Sequence, residues 1–430
     1  MKLTRLKGFL RSKERTYPRF VGLLRRAARS FNGRRATYPR IMGREIAAVA
    51  NVLRTSNWNM NYGGDLVHQR LEAEFASYIG TRYAVAVNTG GMAIQIALRA
   101  FGVKPGNEVI HQVDTCVANA FAIMAAAGTP IFADINKDDF MLARDYAEKQ
   151  ISPQTKVIMP VHMWGNPENM DWVTQTAKEN ALYRLEDACL SLGAEWKGRR
   201  VGSLGDAGVF SLGSLKPIQA GEGGIIVTND EALAKELRTI RSWGEMTHEY
   251  GVRDQRTLSW NGRMSEIVAA VALEQLRGYP KYLENLEALV AVFINHLDHI
   301  DGMDLAVPQT ENARPTYHQV VVKLDPTRLG VCKRDLMSKL SEKGVGVWHA
   351  NFEPINTLGF FRSGSWKDWI LKGDMERVER NYNHRFVGSE DVYATVGLGF
   401  SRSNFLSADS VKFLIRELDR VLSKRSLART

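Results

Sequence analysis

One lysine, Lys216, stands just beyond a short run of β-favouring residues, 207–212, in a loop rich in Gly, Ser and Pro. A lysine held against the edge of a sheet loses solvation, and its neutral amine can then attack an aldehyde and form a Schiff base. A lone lysine in a loop is more often a solvated surface residue. Here a carboxylate accompanies it, because Asp187 ends a second candidate strand, 182–187. The pair predicts covalent aldehyde chemistry beside a fixed negative charge.

A second chemical feature lies upstream, where a candidate strand, 83–88, runs into Thr89, Gly90 and Gly91 and then into a helical pattern. The first backbone N–H groups of a helix point outward, and the helix dipole favours negative charge there. We therefore expect an anion-binding turn. Alone, a glycine pair is a weak signal, because any strand-turn-helix unit can contain one.

Alternating strands and helices are expected to position these groups. They are predicted at 108–112, 117–127, 131–135, 138–150, 156–162, 168–180 and 182–187. Such alternation predicts a mostly parallel sheet covered by helices on both faces, with ligands bound beyond the carboxyl ends of its strands. A helix to Leu276, a second helical pattern from Tyr279 to about Ile300 and a strand near Thr395 indicate a smaller α+β unit at the C-terminal side.

The charge of the chain is uneven along its length. Residues 1–40 hold 13 of the 57 Lys and Arg and one of the 47 acidic residues, a surplus of 12, so this leader accounts for the whole net charge of +10. Apolar residues among its arginines are compatible with contact to an anionic membrane surface or an acidic partner; a solvated extension is the commoner case. The leader lacks the uninterrupted apolar core of a secretory signal.

The cysteines, the apolar runs and the basic residues exclude several other classes of protein. Cys116, Cys189 and Cys332 lack metal-ligand spacing, so we expect no metal site and no disulfide framework. No apolar run is long enough to span a membrane, and no nucleic-acid recognition motif accompanies the charges. A cytoplasmic protein that does not bind nucleic acid is the expectation.

Six short motifs follow one another in a characteristic order. They are Glu186-Asp187-Ala188, 202–206, 209–212, Lys216, 221–224 and 261–266. In this order and spacing they resemble the DegT/DnrJ/EryC1/StrS family of sugar aminotransferases, pyridoxal phosphate (PLP) enzymes of fold type I. The resemblance implies a three-layer α/β fold with a mostly parallel central sheet. It divides the chain into a basic extension, 1–37, a large PLP-binding domain, 38–277, and a linking helix with a small C-terminal α+β domain, 278–430.

The resemblance also implies a role for each matching residue. Lys216 would form the Schiff base with PLP and carry protons, and Asp187 would pair with the pyridinium nitrogen and so make the ring an electron sink. The residues implied to bind the phosphate are Thr89, Gly90, Gly91, Ser211 and, from a second copy of the chain, Asn261. The resemblance therefore implies an obligate homodimer with a shared active site. Arg263, close to Asn261, is expected to anchor its own loop.

Two positions depart from the family pattern. Cys116 stands where the family usually stacks an aromatic side chain on the ring, and Leu190 stands where it usually has Gln or His. A thiol offers dispersion contact without π-stacking, and leucine cannot hydrogen-bond the ring. We therefore expect these two residues to border the cofactor but to hold it differently.

Candidate substrate contacts are fewer. Trp58, Tyr62 and His349 fall where the family places residues near the substrate, although packing explains each of them as well. His162 has a family-like position, and a hydrogen-bonded core histidine is its alternative. Arg402 could pair with a carboxylate or phosphate of the substrate, and packing is again the alternative.

Together these implications predict transfer of an amino group from glutamate or glutamine to a keto sugar, with a nucleotide-linked sugar favoured, or to a cyclitol ketone. The pathway would be amino-sugar biosynthesis for a surface polysaccharide or a natural product. Lys216 argues against the related dehydratases, which replace this lysine by histidine. Cys116 and Leu190 leave open another PLP reaction of the same fold, and a non-catalytic binding or regulatory protein is the remaining alternative.

Overall fold

The first strand shows how this sequence specifies a covered sheet. In Tyr83–Val87, Ala84 and Ala86 contact one hydrophobic cluster, and Val85 and Val87 contact another. Side chains alternate between the two faces of a strand, so a strand that is apolar at successive positions must be buried on both faces.

The structure, a computed structural model, describes residues 43–55, 58, 66–247, 253–255, 257–308 and 310–423. The α-helices within these ranges are α1 Gly43–Thr55, α2 Val67–Ile79, α3 Gly90–Ala100, α4 Ala118–Ala125, α5 Arg144–Lys149, α6 Met170–Glu179, α7 Glu231–Arg241, α8 Glu266–Leu297, α9 Pro326–Leu329, α10 Lys333–Glu342, α11 Gly359–Arg362, α12 Met375–Tyr382, α13 Val387–Asp391 and α14 Ala408–Ser423. The strands are β1 Tyr83–Val87, β2 Glu108–Gln112, β3 Thr129–Ala133, β4 Thr155–Ile158, β5 Tyr183–Asp187, β6 Glu195–Trp196, β7 Arg199–Arg200, β8 Ala207–Ser211, β9 Gly224–Thr228, β10 Glu245–Thr247, β11 Arg253–Gln255, β12 Met303–Leu305, β13 Ala313–Arg314, β14 Gln319–Leu324, β15 Val347–His349 and β16 Gly397–Ser401.

Seven strands form the main sheet in the order β1-β9-β8-β5-β4-β2-β3. Strand β9 runs antiparallel to both of its neighbours, and the other adjacent pairs are parallel. Strands β5 and β8 are parallel neighbours, so their last residues, Asp187 and Ser211, lie at the same edge.

Helices cover both faces of this sheet and complete three layers. Residues of α1, α2 and the first half of α8 pack on one face, together with Phe210 and Ile225. Residues of α3, α4 and α7 pack on the other face, together with Val209 and Ile226. The predicted three-layer α/β fold with a mostly parallel central sheet is confirmed.

A second sheet has the order β12-β14-β16-β15, and all of its neighbouring strands are antiparallel. Its core contains Leu286, Val290 and Phe293 from the second half of α8, and residues of α10 and α14. One helix therefore packs on both sheets.

Helix α8 differs from the prediction of two separate helices. It continues from Glu266 to Leu297 through Pro280, although proline removes a hydrogen-bond donor from the helix. Tyr279 and Leu283, on either side of Pro280, are both buried, so one continuous apolar stripe holds the two halves together. The predicted domain limit at 277/278 falls inside this helix, and the division into domains stays a prediction.

Two other segments differ from their predicted structure. The stretch 138–150 is helical only from Arg144 to Lys149, because the Asp139 carboxylate accepts a hydrogen bond from the Met141 amide at 3.0 Å and stabilises a turn. Thr395 lies in a π-helical turn, Val392–Val396, and the strand expected near it begins at Gly397.

Among the helices that the structure describes, none combines the length and the apolar character that a bilayer crossing requires. The described residues also contain no group of three or more His, Cys, Asp or Glu side chains arranged to hold a metal ion. The basic extension, 1–37, lies outside the described residues.

Candidate active site

Lys216 lies at the carboxyl edge of the main sheet, in the loop between β8 and β9. Its backbone amide donates to the Gly213 carbonyl at 3.3 Å. The preceding residue, Leu215, has a φ of 69°, a left-handed conformation that residues with a Cβ rarely adopt. The lysine is therefore presented, half-buried, by a strained turn.

Asp187 lies at the same edge, on the end of the neighbouring strand. Its side chain is 4% exposed, and Oδ2 accepts a hydrogen bond from the Asn119 side-chain amide at 2.8 Å. Oδ1 accepts from the Cys189 backbone amide at 3.0 Å. These two donors fix the carboxylate in one orientation.

Cys189 lies between the ends of the two strands. Its amide donates to Asp187, and its Sγ lies 3.9 Å from the Val209 carbonyl oxygen of β8. Burial raises the pKa of Cys189 well above its ordinary value, and the charge of Asp187 raises it further. The thiol therefore borders Asp187 at the edge from which the loop of Lys216 leaves β8.

The predicted anion-binding turn also forms at this edge. Thr89 is the N-cap of α3, and its hydroxyl accepts a hydrogen bond from the Met92 amide at 3.0 Å. Gly90 packs on Ser211 so closely that a Cβ at residue 90 would lie 2.7 Å from the Ser211 Cβ. A Cβ at Gly91, in contrast, would meet no atom within 4 Å.

This arrangement fits PLP. The first amides of α3 have no partner within the helix, and the space at Gly91 is open, so a phosphate group can bind there. Asp187 would supply a negative charge for the ring nitrogen, and Lys216 would supply an amine for the aldehyde. The structure thus brings together the lysine, the carboxylate and the turn that the sequence suggested separately.

Asn261, the residue expected to reach a partner's phosphate, is exposed. Its carbonyl accepts a hydrogen bond from the Asn88 side chain at 3.3 Å, and the adjacent Gly262 carbonyl accepts from the Asn88 amide at 2.8 Å. Arg263 lies with its guanidinium 5.9 Å from the Trp243 ring centroid, a contact that suits the predicted loop anchor. The segment thus borders the anion-binding turn of its own chain and presents Asn261 to solvent.

The two departures from the family pattern have different surroundings. The Cys116 carbonyl accepts the Asn119 amide at 3.0 Å, so Cys116 precedes the helix whose Asn119 side chain holds Asp187. Leu190 is 7% exposed and belongs to a hydrophobic cluster with Val161 and Trp164. Contact of either residue with PLP stays a prediction.

The expected substrate residues that the structure describes lie on separate elements. Trp58 is 54% exposed, and its carbonyl accepts the Glu266 amide at the start of α8. His349 ends β15, where it stacks on Tyr393 with a centroid distance of 4.6 Å. Tyr62 lies outside the described residues.

His162 has the alternative role, that of a hydrogen-bonded core histidine. Its side chain is fully buried, with Nδ1 accepting from the Glu168 amide at 2.9 Å and Nε2 lying 3.0 Å from a Glu186 carboxylate oxygen. Since Nδ1 accepts, the ring proton is on Nε2.

Sequence reasoning did not identify Asn119, which donates to Asp187. It also did not identify Cys189 or His318. Burial lowers the pKa of His318 well below its ordinary value, and the charges of Arg402 and Lys216 lower it further, so its imidazole is neutral. His318 stacks on Trp164 at a centroid distance of 5.9 Å. Only Cys189 carried a local signal, its position two residues after Asp187.

Comparison with known proteins identifies the family of the chain. The family described as the DegT/DnrJ/EryC1/StrS aminotransferase family matches residues 39–368. A dTDP-3-amino-3,4,6-trideoxy-alpha-D-glucose transaminase from Streptomyces venezuelae is 33% identical over 318 residues, which cover 72% of this chain and 78% of the relative.

Solved structures show the same fold. S. venezuelae DesV in complex with a ketimine intermediate aligns with a TM-score of 0.75 and 28% identity, covering 88% of this chain and 94% of that chain. The PLP form of the sugar aminotransferase Spr1654 from Streptococcus pneumoniae, itself described as putative, aligns with a TM-score of 0.77 and 22% identity, covering 91% and 99%. The chain belongs to the DegT/DnrJ/EryC1/StrS aminotransferase family and is a PLP-dependent aminotransferase of fold type I.

Proposed function

We propose that this enzyme transfers an amino group from glutamate or glutamine to the ketone of a nucleotide-linked sugar, in the biosynthesis of an amino sugar for a surface polysaccharide or a natural product. A free keto sugar or a cyclitol ketone is the alternative acceptor. The sugar transaminase relative from S. venezuelae supports an acceptor of this class. The observation that carries the proposal is the position of Asp187, buried and held by Asn119 and Cys189, at the sheet edge that also holds the loop of Lys216 and the anion-binding turn.

In this proposal the phosphate of the cofactor is bound by the amides of Gly90 and Gly91 and by the hydroxyls of Thr89 and Ser211. The close packing of Gly90 on Ser211 brings the end of β8 to the start of α3, so both sets of donors can reach one anion. Anchoring the phosphate fixes the distance from the bound aldehyde to Lys216.

PLP, when bound, supplies an electron sink that stabilises negative charge at the carbon next to the amine. The buried Asp187 carboxylate favours a proton on the ring nitrogen, which this sink requires. The Lys216 Nζ takes the Cα proton from the donor and, in the second half-reaction, delivers a proton to the former carbonyl carbon of the acceptor. His318 is neutral, because burial lowers its pKa well below the ordinary value, and so it adds no positive charge to its surroundings.

The acceptor would contact Trp58, Tyr62 and His349. Cys116 and Leu190 would border the cofactor without stacking or hydrogen-bonding its ring. An enzyme built in this way is expected to hold its cofactor more weakly than one with an aromatic residue at position 116, because a thiol offers a smaller contact area.

The proposal includes a homodimer in which Asn261 of the partner subunit completes the phosphate site. The exposure of Asn261 beside Asn88 supports this role. Lys216→Ala and Asn261→Ala should each impair turnover, and a refolded mixture of the two should regain activity, since one site of a mixed dimer has both native residues. A mixture as inactive as its components would contradict the shared site.

The donor and acceptor are tested on the purified holoenzyme. Glutamate or glutamine should bleach the visible absorption of bound PLP, and a panel of nucleotide-linked keto sugars should restore it, with the amino sugar detected by mass spectrometry. Bleaching by no amino donor would favour the alternative PLP reaction suggested by Cys116 and Leu190. Complete absence of PLP absorption would favour a non-catalytic protein.

The basic extension is proposed to bind anionic membrane surfaces from the cytoplasm. Deleting residues 1–35 should leave turnover unchanged and abolish sedimentation with vesicles containing phosphatidylserine. Equal sedimentation of both forms, or none of the full chain, overturns this part of the proposal.

A further inference from the structure

The turn that presents Lys216 is held by a residue from the other sheet. Arg402 directly follows β16, and its Nη2 donates to the Leu215 carbonyl at 2.7 Å and to the Lys216 carbonyl at 3.1 Å. The arginine is only 7% exposed. A buried guanidinium loses its hydration, so hydrogen bonds of this kind are required to keep it in place.

The two carbonyls belong to the strained part of the loop. Leu215 has its φ of 69°, yet its side chain is 70% exposed and gains little from packing. Strained residues persist where their surroundings over-determine them. Besides Arg402, the Gln219 side chain donates to the Lys216 carbonyl at 3.3 Å, so the turn is bound from two directions.

We propose that Arg402 is a positioning residue that clamps the Leu215–Lys216 turn and so aims the lysine amine at the cofactor aldehyde. This inference rests on the proposed role of Lys216. It replaces the expectation that Arg402 pairs with an anion of the substrate, because the buried Nη2 is directed at the two loop carbonyls.

The proposal separates two properties of the site. In the anion-binding turn Thr89 accepts from Met92, and Asp187 accepts from Asn119 and Cys189, so both have hydrogen bonds of their own. Loss of the clamp should therefore leave non-covalent binding of the cofactor intact. It should slow formation of the bond between Nζ and the aldehyde carbon, a step that releases water, because misplacement by about 1 Å can cost about 100-fold in rate.

The test compares wild type with Arg402→Gln and Arg402→Lys after removal of the cofactor. Binding of 4-deoxypyridoxine 5′-phosphate, which has no aldehyde, is measured by calorimetry, and covalent linkage of PLP is measured by stopped-flow absorbance. We expect unchanged binding of the analogue and linkage about 10- to 100-fold slower in Arg402→Gln. Arg402→Lys should be intermediate, since it keeps the charge but not the planar fork of donors.

A double-mutant cycle tests the strained turn directly. Glycine adopts a φ of 69° without strain, so Leu215→Gly should lessen the need for the clamp and restore much of the lost linkage rate in the Arg402→Gln background. Additive effects of the two substitutions would overturn the coupling.

Arg377→Gln is the matched control. Arg377 donates to the Glu108 carboxylate at 3.0 Å, at the start of β2 and thus at the opposite edge of the main sheet. This substitution should lower stability without changing the linkage rate.

Slow linkage in both variants, or parallel losses of analogue binding and linkage in Arg402→Gln, would show a merely structural effect. If wild type forms no covalent linkage, the proposed function fails; if Arg402→Gln links as fast as wild type, only this inference fails.

Discussion

Asp187 and Lys216 lie at the same edge of the main sheet, but the structure holds them in opposite ways. Asp187 is almost fully buried on a strand end and is fixed by two hydrogen bonds from residues close to that strand. Lys216 is half-buried in a strained loop and is fixed through its carbonyl by Arg402, which follows a strand of the other sheet. Asp187 is thus a fixed half of the site, held in part by a residue near it in the chain, and Lys216 is a clamped half, held by a residue that is distant in the chain.

Removing the nucleophile should have the largest effect. Lys216→Ala leaves Asp187 and the anion-binding turn unchanged, so PLP should still bind, but without a covalent bond. Loss of the proton carrier should lower turnover by about 10⁴-fold. Borohydride treatment followed by mass spectrometry checks the covalent bond. A cofactor adduct in Lys216→Ala would assign the linkage to another lysine.

Removing only the charge of the fixed half should have the next largest effect. Asp187→Asn is expected to lower turnover by about 10²-fold or more, because the ring nitrogen loses the partner that favours its protonation. Covalent linkage to Lys216 should persist. Asn119→Ala, which keeps the charge but loses its 2.8 Å hydrogen bond, should cost about 10-fold. Equal losses in the two variants would show that orientation rather than charge matters.

Substitutions at Gly90 and Gly91 separate an effect on protein packing from an effect on cofactor binding. Gly90→Ala places a methyl group 2.7 Å from the Ser211 Cβ and should destabilise the protein by about 1–3 kcal/mol. Gly91→Ala meets no protein atom and should change the free energy of unfolding by less than about 0.5 kcal/mol, while weakening PLP binding. Urea denaturation and a PLP titration separate the two. Unchanged PLP affinity in Gly91→Ala would remove Gly91 from the phosphate site.

The smallest effect concerns the sheet beneath both halves. Burial lowers the pKa of His111, on β2, to about 4. Between about pH 6.5 and pH 4 this histidine is therefore protonated in the unfolded chain and neutral in the folded chain. Wild type should lose about 2 kcal/mol of stability from this residue between pH 8 and pH 5, and His111→Phe should remove that loss. Denaturation curves at both pH values provide the measurement. The same pH dependence in wild type and variant would assign the acid sensitivity to other groups.

The fixed half could be predicted from the sequence more completely than the clamped half. Strand β5 follows from the alternation of strands and helices and Asp187 from the motif Glu186-Asp187-Ala188, and α3 follows from its glycine turn and apolar spacing. Lys216 was identified through neighbouring motifs. Arg402 was not recognised as its support, because a contact across 186 residues between a side chain and a carbonyl leaves no local pattern.

The same limit explains the differences in the fold. Two helices were predicted, one to Leu276 and one from Tyr279, but the packing of α8 on both sheets outweighs the one hydrogen bond lost at Pro280. At residues 138–143, in contrast, polar side chains bond to nearby amides, and a turn replaces the predicted helix. Tertiary packing decides the first case and local chemistry the second.

The single helix beneath both sheets has a consequence for engineering. Its 32 residues form a rod of about 48 Å, and no loop interrupts it where one would cut the chain to exchange parts. Chimaeras that graft the C-terminal sheet of one relative onto this enzyme should therefore take their crossover point outside α8. A junction near Pro280 would combine two half-helices whose apolar stripes were never matched, and it would misalign the donor sheet with the loop that it must support.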